Sequence, residues 1–100
     1  YDNRISITGS SVVVRGIERM ISANGGVQFS YRDMTGESEE IEFNTAEQWV
    51  RLTGQPRARQ GKDQIVGTQI LVLLKENRII AEGKTRIILS GKTMGGGSAR

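Results

Sequence analysis

Ile41-Glu42-Phe43-Asn44-Thr45-Ala46-Glu47-Gln48-Trp49-Val50-Arg51-Leu52-Thr53-Gly54 and Ile70-Leu71-Val72-Leu73-Leu74-Lys75-Glu76-Asn77-Arg78-Ile79-Ile80-Ala81-Glu82-Gly83 lie 29 residues apart in one chain, and their alignment decides the fold. No insertion is needed: Ile41 matches Ile70, Phe43 matches Val72, Glu47 matches Glu76 and Val50 matches Ile79, and beyond the quoted stretch Arg57 matches Arg86. Gly25, Gly54 and Gly83 recur at the same period, each preceded two residues earlier by Ala23, Leu52 or Ala81. Glycine spacing alone is weak in a chain with thirteen glycines, so the flanking residues carry the argument. Each unit reads strand, tight turn, strand, glycine, strand. That is a β-meander stacking on copies of itself, because a single unit has no second face to cover its apolar one. The expected organisation is one domain over 1–90, with units at about 12–40, 41–69 and 70–90, followed by a flexible Gly-rich tail over 91–100.

Alternation sets the remaining strands. Ile5 and Ile7, then Val12 and Val14, mark two short strands punctuated by Gly9 and Gly16. Asn24-Gly25-Gly26 is a turn signal, and Val27, Phe29 and Tyr31 share one face of the next strand. Asp33-Met34-Thr35-Gly36 is expected to be a turn, and Glu40–Asn44 a half-buried strand. Residues 44–53 carry a competing helix signal. Asn44 with Glu47, or Thr45 with Gln48, has capping-box spacing, and Gly54 suits a helix C′ position. The β-branched equivalent in the next unit favours a turn at 44–48 and a strand at 49–53.

An odd period flips numerical parity, which places every strand's inward side. The expected inward set is Val27, Phe29, Ile41, Phe43, Val50, Leu52, Ala58, Ile70, Val72, Leu74, Ile79, Ala81, Ile87 and Leu89. These side chains are mostly slim and aliphatic. Arg51, Arg57, Arg59, Arg78 and Arg86 fall on the opposite parity or at strand ends. In the third unit Leu71, Leu73, Ile80 and Ile88 are apolar on the outward parity too, and such a strand needs cover on both sides.

Composition excludes most chemistry. The 100 residues contain no cysteine and no histidine, which removes disulfide frameworks, thiol nucleophiles, zinc fingers and histidine-based triads. A chain this short buries about 65% of its unfolded surface, so a partner or an apolar ligand adds noticeably to its stability. The net charge is +3, but it is segregated: Asp33 to Glu47 carries six acids and no base, and the next fifteen residues carry Arg51, Arg57, Arg59 and Lys62 and no acid. Glu40 and Glu42 share a face, yet their alternation with Ile41 and Phe43 marks it as a solvent side rather than a catalytic carboxylate pair. Gly91-Lys92-Thr93 has the end of a phosphate-binding loop, but Arg86 stands where its first glycine belongs. The expectation is no enzyme activity, no cofactor and no metal site. No apolar run approaches the ~20 residues of a membrane span. The chain starts at Tyr1 without a signal segment and reads as a processed product or an excised piece.

From about Ala23 to Leu89 the chain resembles the OstA-like domain of periplasmic lipopolysaccharide-transport proteins, the LptA-type β-jellyroll. The resemblance rests on Ala23-Asn24-Gly25-Gly26-Val27, Gly36-Glu37-Ser38-Glu39-Glu40-Ile41-Glu42-Phe43, Ala81-Glu82-Gly83 and above all Val50-Arg51-Leu52-Thr53-Gly54-Gln55-Pro56-Arg57-Ala58 followed by Ile65-Val66-Gly67-Thr68-Gln69-Ile70. The first twenty-two residues match the family poorly. What the resemblance implies is an all-β jellyroll folded as an open V, with no enzyme activity, located in the periplasm. Lipid A acyl chains of lipopolysaccharide would lie in a groove lined by Val27, Phe29, Ile41, Phe43, Val50, Leu52, Ile70, Val72, Leu74, Ile79, Ile87 and Leu89. Arg51, Arg57, Arg59, Arg78 and Arg86 would meet phosphates at its rim. Copies would stack edge strand to edge strand, and related jellyroll domains of inner- and outer-membrane components would join the stack. The absence of a membrane segment favours the soluble bridging member of the family.

Two other readings compete. One keeps the fold as a structural assembly module without lipid. The other is a basic β-domain that binds single-stranded nucleic acid, for which only Tyr31 and Trp49 are available to stack on bases. The expected partners exclude nucleic acid.

Overall fold

The structure, a computed structural model, describes residues 5–89. Among them are ten strands and no helix: β1 (Ile5–Thr8), β2 (Ser11–Arg15), β3 (Met20–Tyr31), β4 (Met34–Asn44), β5 (Trp49–Thr53), β6 (Arg57–Gln60), β7 (Asp63–Val66), β8 (Gln69–Leu73), β9 (Arg78–Glu82) and β10 (Arg86–Ile88). All pairings are antiparallel. The stretch with the competing helix signal forms a turn and then β5. Asn44 Oδ1 accepts the Glu47 N–H at 2.7 Å, so the capping spacing closes a hairpin turn instead of opening a helix.

Two long strands fold one hydrogen-bonded sheet into two layers. β3 bends at a bulge between Asn24 and Val27, where Gly25 and Gly26 take φ of +82° and +68°. The expected turn at Asn24-Gly25-Gly26 is therefore a corner within one strand. β4 changes partners along its length: Met34–Glu37 pair with β6, Glu40–Asn44 with β5. The first layer is ordered β2, Met20–Asn24 of β3, Glu40–Asn44 of β4, β5, β8, β9. The second is β1, Val27–Tyr31 of β3, Met34–Ser38 of β4, β6, β7, β10.

The backbone repeats every 29 residues. The four-residue turns of hairpins β2–β3, β4–β5 and β8–β9 end on Arg19, Gln48 and Asn77, with φ of 57°, 62° and 53°. The strands then reach Gly25, Gly54 and Gly83, with φ of 82°, 82° and 88°. Opposite these glycines lie Ser10, Glu39 and Thr68, also 29 apart; a Cβ on Gly25 would sit 2.6 Å from Ser10 Cβ, and one on Gly54 2.5 Å from Glu39 Cβ. Backbone bonds tie the same corners: Ser10 N–H to Asn24 O (2.9 Å), Glu39 N–H to Gly54 O (3.0 Å) and Thr68 N–H to Glu82 O (2.8 Å). Every crossing between layers thus falls along one line. The hairpin tips lie on the other side, at 16–19, 45–48 and 74–77 in the first layer and at 32–33 and 61–62 in the second.

The core lies between the layers. Ala23, Val27, Phe29, Met34, Ile41, Phe43, Val50, Leu52, Ala58, Ile70, Val72 and Leu74 form one buried cluster. Burying each large member contributes roughly 1.5–3 kcal/mol. Met34, expected in a turn, is 1% exposed and opens β4; the turn is the shorter Arg32-Asp33.

Candidate functional site

The interior is built from rows that cross the whole stack. In the first layer, register aligns Val12, Ala23, Ile41, Leu52, Ile70 and Ala81 in one row and Val14, Ile21, Phe43, Val50, Val72 and Ile79 in the next. In the second layer the facing row is Ile7, Phe29, Gly36, Ala58, Ile65 and Ile87. At Gly36 the facing layer packs tightly, since a Cβ there would meet Leu52 Cδ1 at 2.8 Å.

Nine of the twelve residues assigned to a groove from the resemblance, Val27, Phe29, Ile41, Phe43, Val50, Leu52, Ile70, Val72 and Leu74, sit in the buried cluster. Ile79 is half-buried against it. Ile87 and Leu89 are not buried: they are 60% and 63% exposed. The parity of Ile87 is right, because it pairs with Ile65 in the inner row, but among the described residues β10 is the outermost strand of its layer. The opposite end is the same, with Val14 on the inner row of β2 and 68% exposed. The middle of the interior is shut, with Val50, Leu52 and Ile70 fully buried, so inner-row side chains meet solvent at the two ends.

The arginines expected at a rim are scattered. Arg78 alone lies beside a hairpin tip, bonded to Glu76 at 3.1 Å. Arg51 is on the outer face of the first layer, 2.9 Å from Glu42 and over the Trp49 ring at 5.0 Å. Arg57, Arg59 and Arg86 are on the outer face of the second layer. Cations that do stand at or beside the tips are Arg15, Arg19, Arg32, Lys62 and Lys75, interspersed with Glu18, Asp33, Glu47 and Glu76. Parity could not reveal them, because it assigns faces and not ends. Tyr31 and Trp49 lie on different layers, which leaves no shared stacking platform for bases.

Over residues 3–78 the chain matches the family described as LptA/(LptD N-terminal domain) LPS transport protein. The chain belongs to this LPS transport family. Its members are transport proteins, not enzymes. The match takes in β1 and β2, so residues 3–22 of the stretch expected to fit poorly are part of it.

Among solved structures the fold is similar to that of LptH, the LptA homologous periplasmic component of the lipopolysaccharide transport device from Pseudomonas aeruginosa. The TM-score is 0.52 and the identity 9%, covering 89% of this chain and 96% of that one. At that identity the likeness is one of fold: the curled two-layer sheet is an LptA-like β-jellyroll. No curated protein sequence matches the chain. The expected tail at 91–100 lies outside the described residues.

Proposed function

We propose that this domain is a periplasmic carrier that takes lipid A acyl chains between its two layers and stacks end to end, with copies of itself and with related jellyroll domains, to bridge inner and outer membranes. The observation that supports it most is that both inner faces run as apolar rows to exposed ends, at Val14 on one side and Ile87 on the other. A row that ends in an exposed valine or isoleucine is continued by a neighbour presenting the other end of the same row. The cargo suits the lining. Each methylene withdrawn from water contributes ~0.8 kcal/mol, and slim Val, Ile and Leu side chains adapt to flexible chains without specific polar contacts. Because the central rows are closed, acyl chains enter by parting the layers on the side of the hairpin tips, away from the line of crossings. Phosphates would then meet the tip cations, Arg78 among them. Movement along the stack is pushed from behind by an energy source elsewhere.

A photo-crosslinking phenylalanine analogue at Phe29 or Phe43, one on each layer, tests the cargo. Lipopolysaccharide adducts at both positions in cells support the reading; adducts confined to outer-face positions such as Thr35 and Thr53 would sink it. The closed core favours a second reading, assembly without cargo, and stacking without adducts would select it.

A further inference from the structure

We propose that the outer face of the second layer carries a separate site for a phosphorylated saccharide. This goes beyond the interior lipid reading and does not depend on it. A hollow of about 410 Å³ opens on this face, within the roughly 300–1,000 Å³ of small-ligand sites. Four strands line it with Ser6 and Thr8 (β1), Gln28 and Ser30 (β3), Thr35 and Glu37 (β4), and Arg57 and Arg59 (β6). Register puts them in two rows, Thr8-Gln28-Glu37-Arg57 and Ser6-Ser30-Thr35-Arg59.

The two arginines define the anionic part. They alternate on one strand, so both guanidinium groups project from the same face with Cα atoms about 6.6–7 Å apart. Neither forms an ion pair among the described residues. Glu37 is the register partner of Arg57 and still does not engage it. Arg51 on the first layer shows the contrast, since Glu42 and Trp49 occupy it. Free guanidinium groups in a fork geometry match phosphate oxygens.

The rest of the lining defines the sugar. Four hydroxyls and an amide both donate and accept, as ring hydroxyls require. Glu37 accepts from a hydroxyl and disfavours a second anion nearby. Two arginines against one carboxylate fit a single phosphate on a neutral saccharide better than a polyanion. Phe29, Gly36 and Ala58 of the inner row also border the hollow, but Phe29 is only 3% exposed and offers no open ring face, which disfavours a nucleobase.

The test is an NMR titration of the full chain with a glucosamine disaccharide monophosphate, the unphosphorylated disaccharide and inorganic phosphate. The site predicts amide shifts at Gln28, Thr35, Glu37 and Arg59 with the monophosphate. It also predicts at least tenfold weaker binding in the Arg57→Gln/Arg59→Gln double variant and unchanged binding in Arg51→Gln. Deacylated lipopolysaccharide and a free sugar monophosphate are titrated in separate arms. Binding by either at these residues supports the site, and the tighter one identifies the source of the sugar. Shifts confined to hairpin tips, an unaffected double variant, or inorganic phosphate binding as tightly as the disaccharide monophosphate would each overturn it. Crosslinking at Phe29 and Phe43 in the double variant keeps the two proposals apart. No adducts in the wild-type chain with an intact saccharide titration refute the interior reading alone, and adducts in both chains with no saccharide binding refute this one alone.

Discussion

Gly54 is held against Glu39: its φ is +82°, and a Cβ there would lie 2.5 Å from Glu39 Cβ. Two constraints act at once, a left-handed backbone and a crossing with no room. Gly54→Ala is expected to lose about 1–2 kcal/mol for the backbone and a further 1–3 kcal/mol for the clash. Gly26 also has a positive φ, +68°, but nothing lies within 4 Å of a Cβ there. Gly26→Ala should therefore lose only the backbone part, about 1–2 kcal/mol. Urea denaturation of both variants checks the difference; equal losses would show that the crossing is not tight.

Gly36 and Leu52 meet across the two layers, with 2.8 Å between Leu52 Cδ1 and the place of the missing Cβ. Here φ is ordinary, so the objection to a side chain is steric. Gly36→Ala should destabilise by about 1–3 kcal/mol through overpacking. Leu52→Val in the same chain vacates space and should recover part of that loss. A double-mutant cycle by thermal denaturation measures the coupling, expected at about 0.5–3 kcal/mol in the compensating direction. Additive effects would place the clash elsewhere.

The repeat was legible because glycines and apolar flanks recur where the backbone does. What the sequence hid depends on neighbours. Asn24-Gly25-Gly26 has the composition of a hairpin turn, but Val27–Tyr31 pair with Met34–Ser38 rather than folding back on Met20–Asn24. Asp33 and Gly36 are turn formers, yet the buried Met34 side chain commits the segment to β4. Ile87 has inward parity and is exposed, because parity gives a face and only the strand order shows that β10 is the outermost described strand. The tip cations were missed for a related reason: which side of the sheet bears the crossings is a property of the assembled layers.

Glu42 and Arg51 form a partly exposed pair, with 46% and 41% of their side chains accessible. Such a pair is worth about 0.2–1 kcal/mol, so Glu42→Gln should be mild and milder still at 1 M salt, where screening acts over about 3 Å. Arg51→Ala removes the pair, the aliphatic stem and the contact over Trp49 together, and should lose about 1–2 kcal/mol. Trp49 is the single tryptophan, so its emission reports the change. An Arg51→Ala loss no larger than that of Glu42→Gln would show that the stacking contributes nothing.

The repeat also fixes how two copies would meet. Ile21↔Phe43 in one hairpin junction becomes Val50↔Val72 in the next, 29 residues on. One period further, Ile79 faces the position that Val14 of a second copy fills. By the same step Phe29↔Gly36 and Ala58↔Ile65 lead to Ile87 against Ile7 of that copy. On the outer row Ile80 meets Val13. Cross-strand Cα distances of about 4.5–5.5 Å fall within disulfide range. Mixing Ile80→Cys with Val13→Cys chains under oxidation should give a covalent dimer. Ile80→Cys with Val12→Cys should not, because a one-residue shift moves the thiol to the other face. Ile87→Ser should weaken association at least tenfold by light scattering. It should leave monomer stability within about 0.5 kcal/mol, because Ile87 is already exposed in the single chain. Efficient Val12→Cys crosslinking would mean a slipped register, and no association at any concentration would remove the stack.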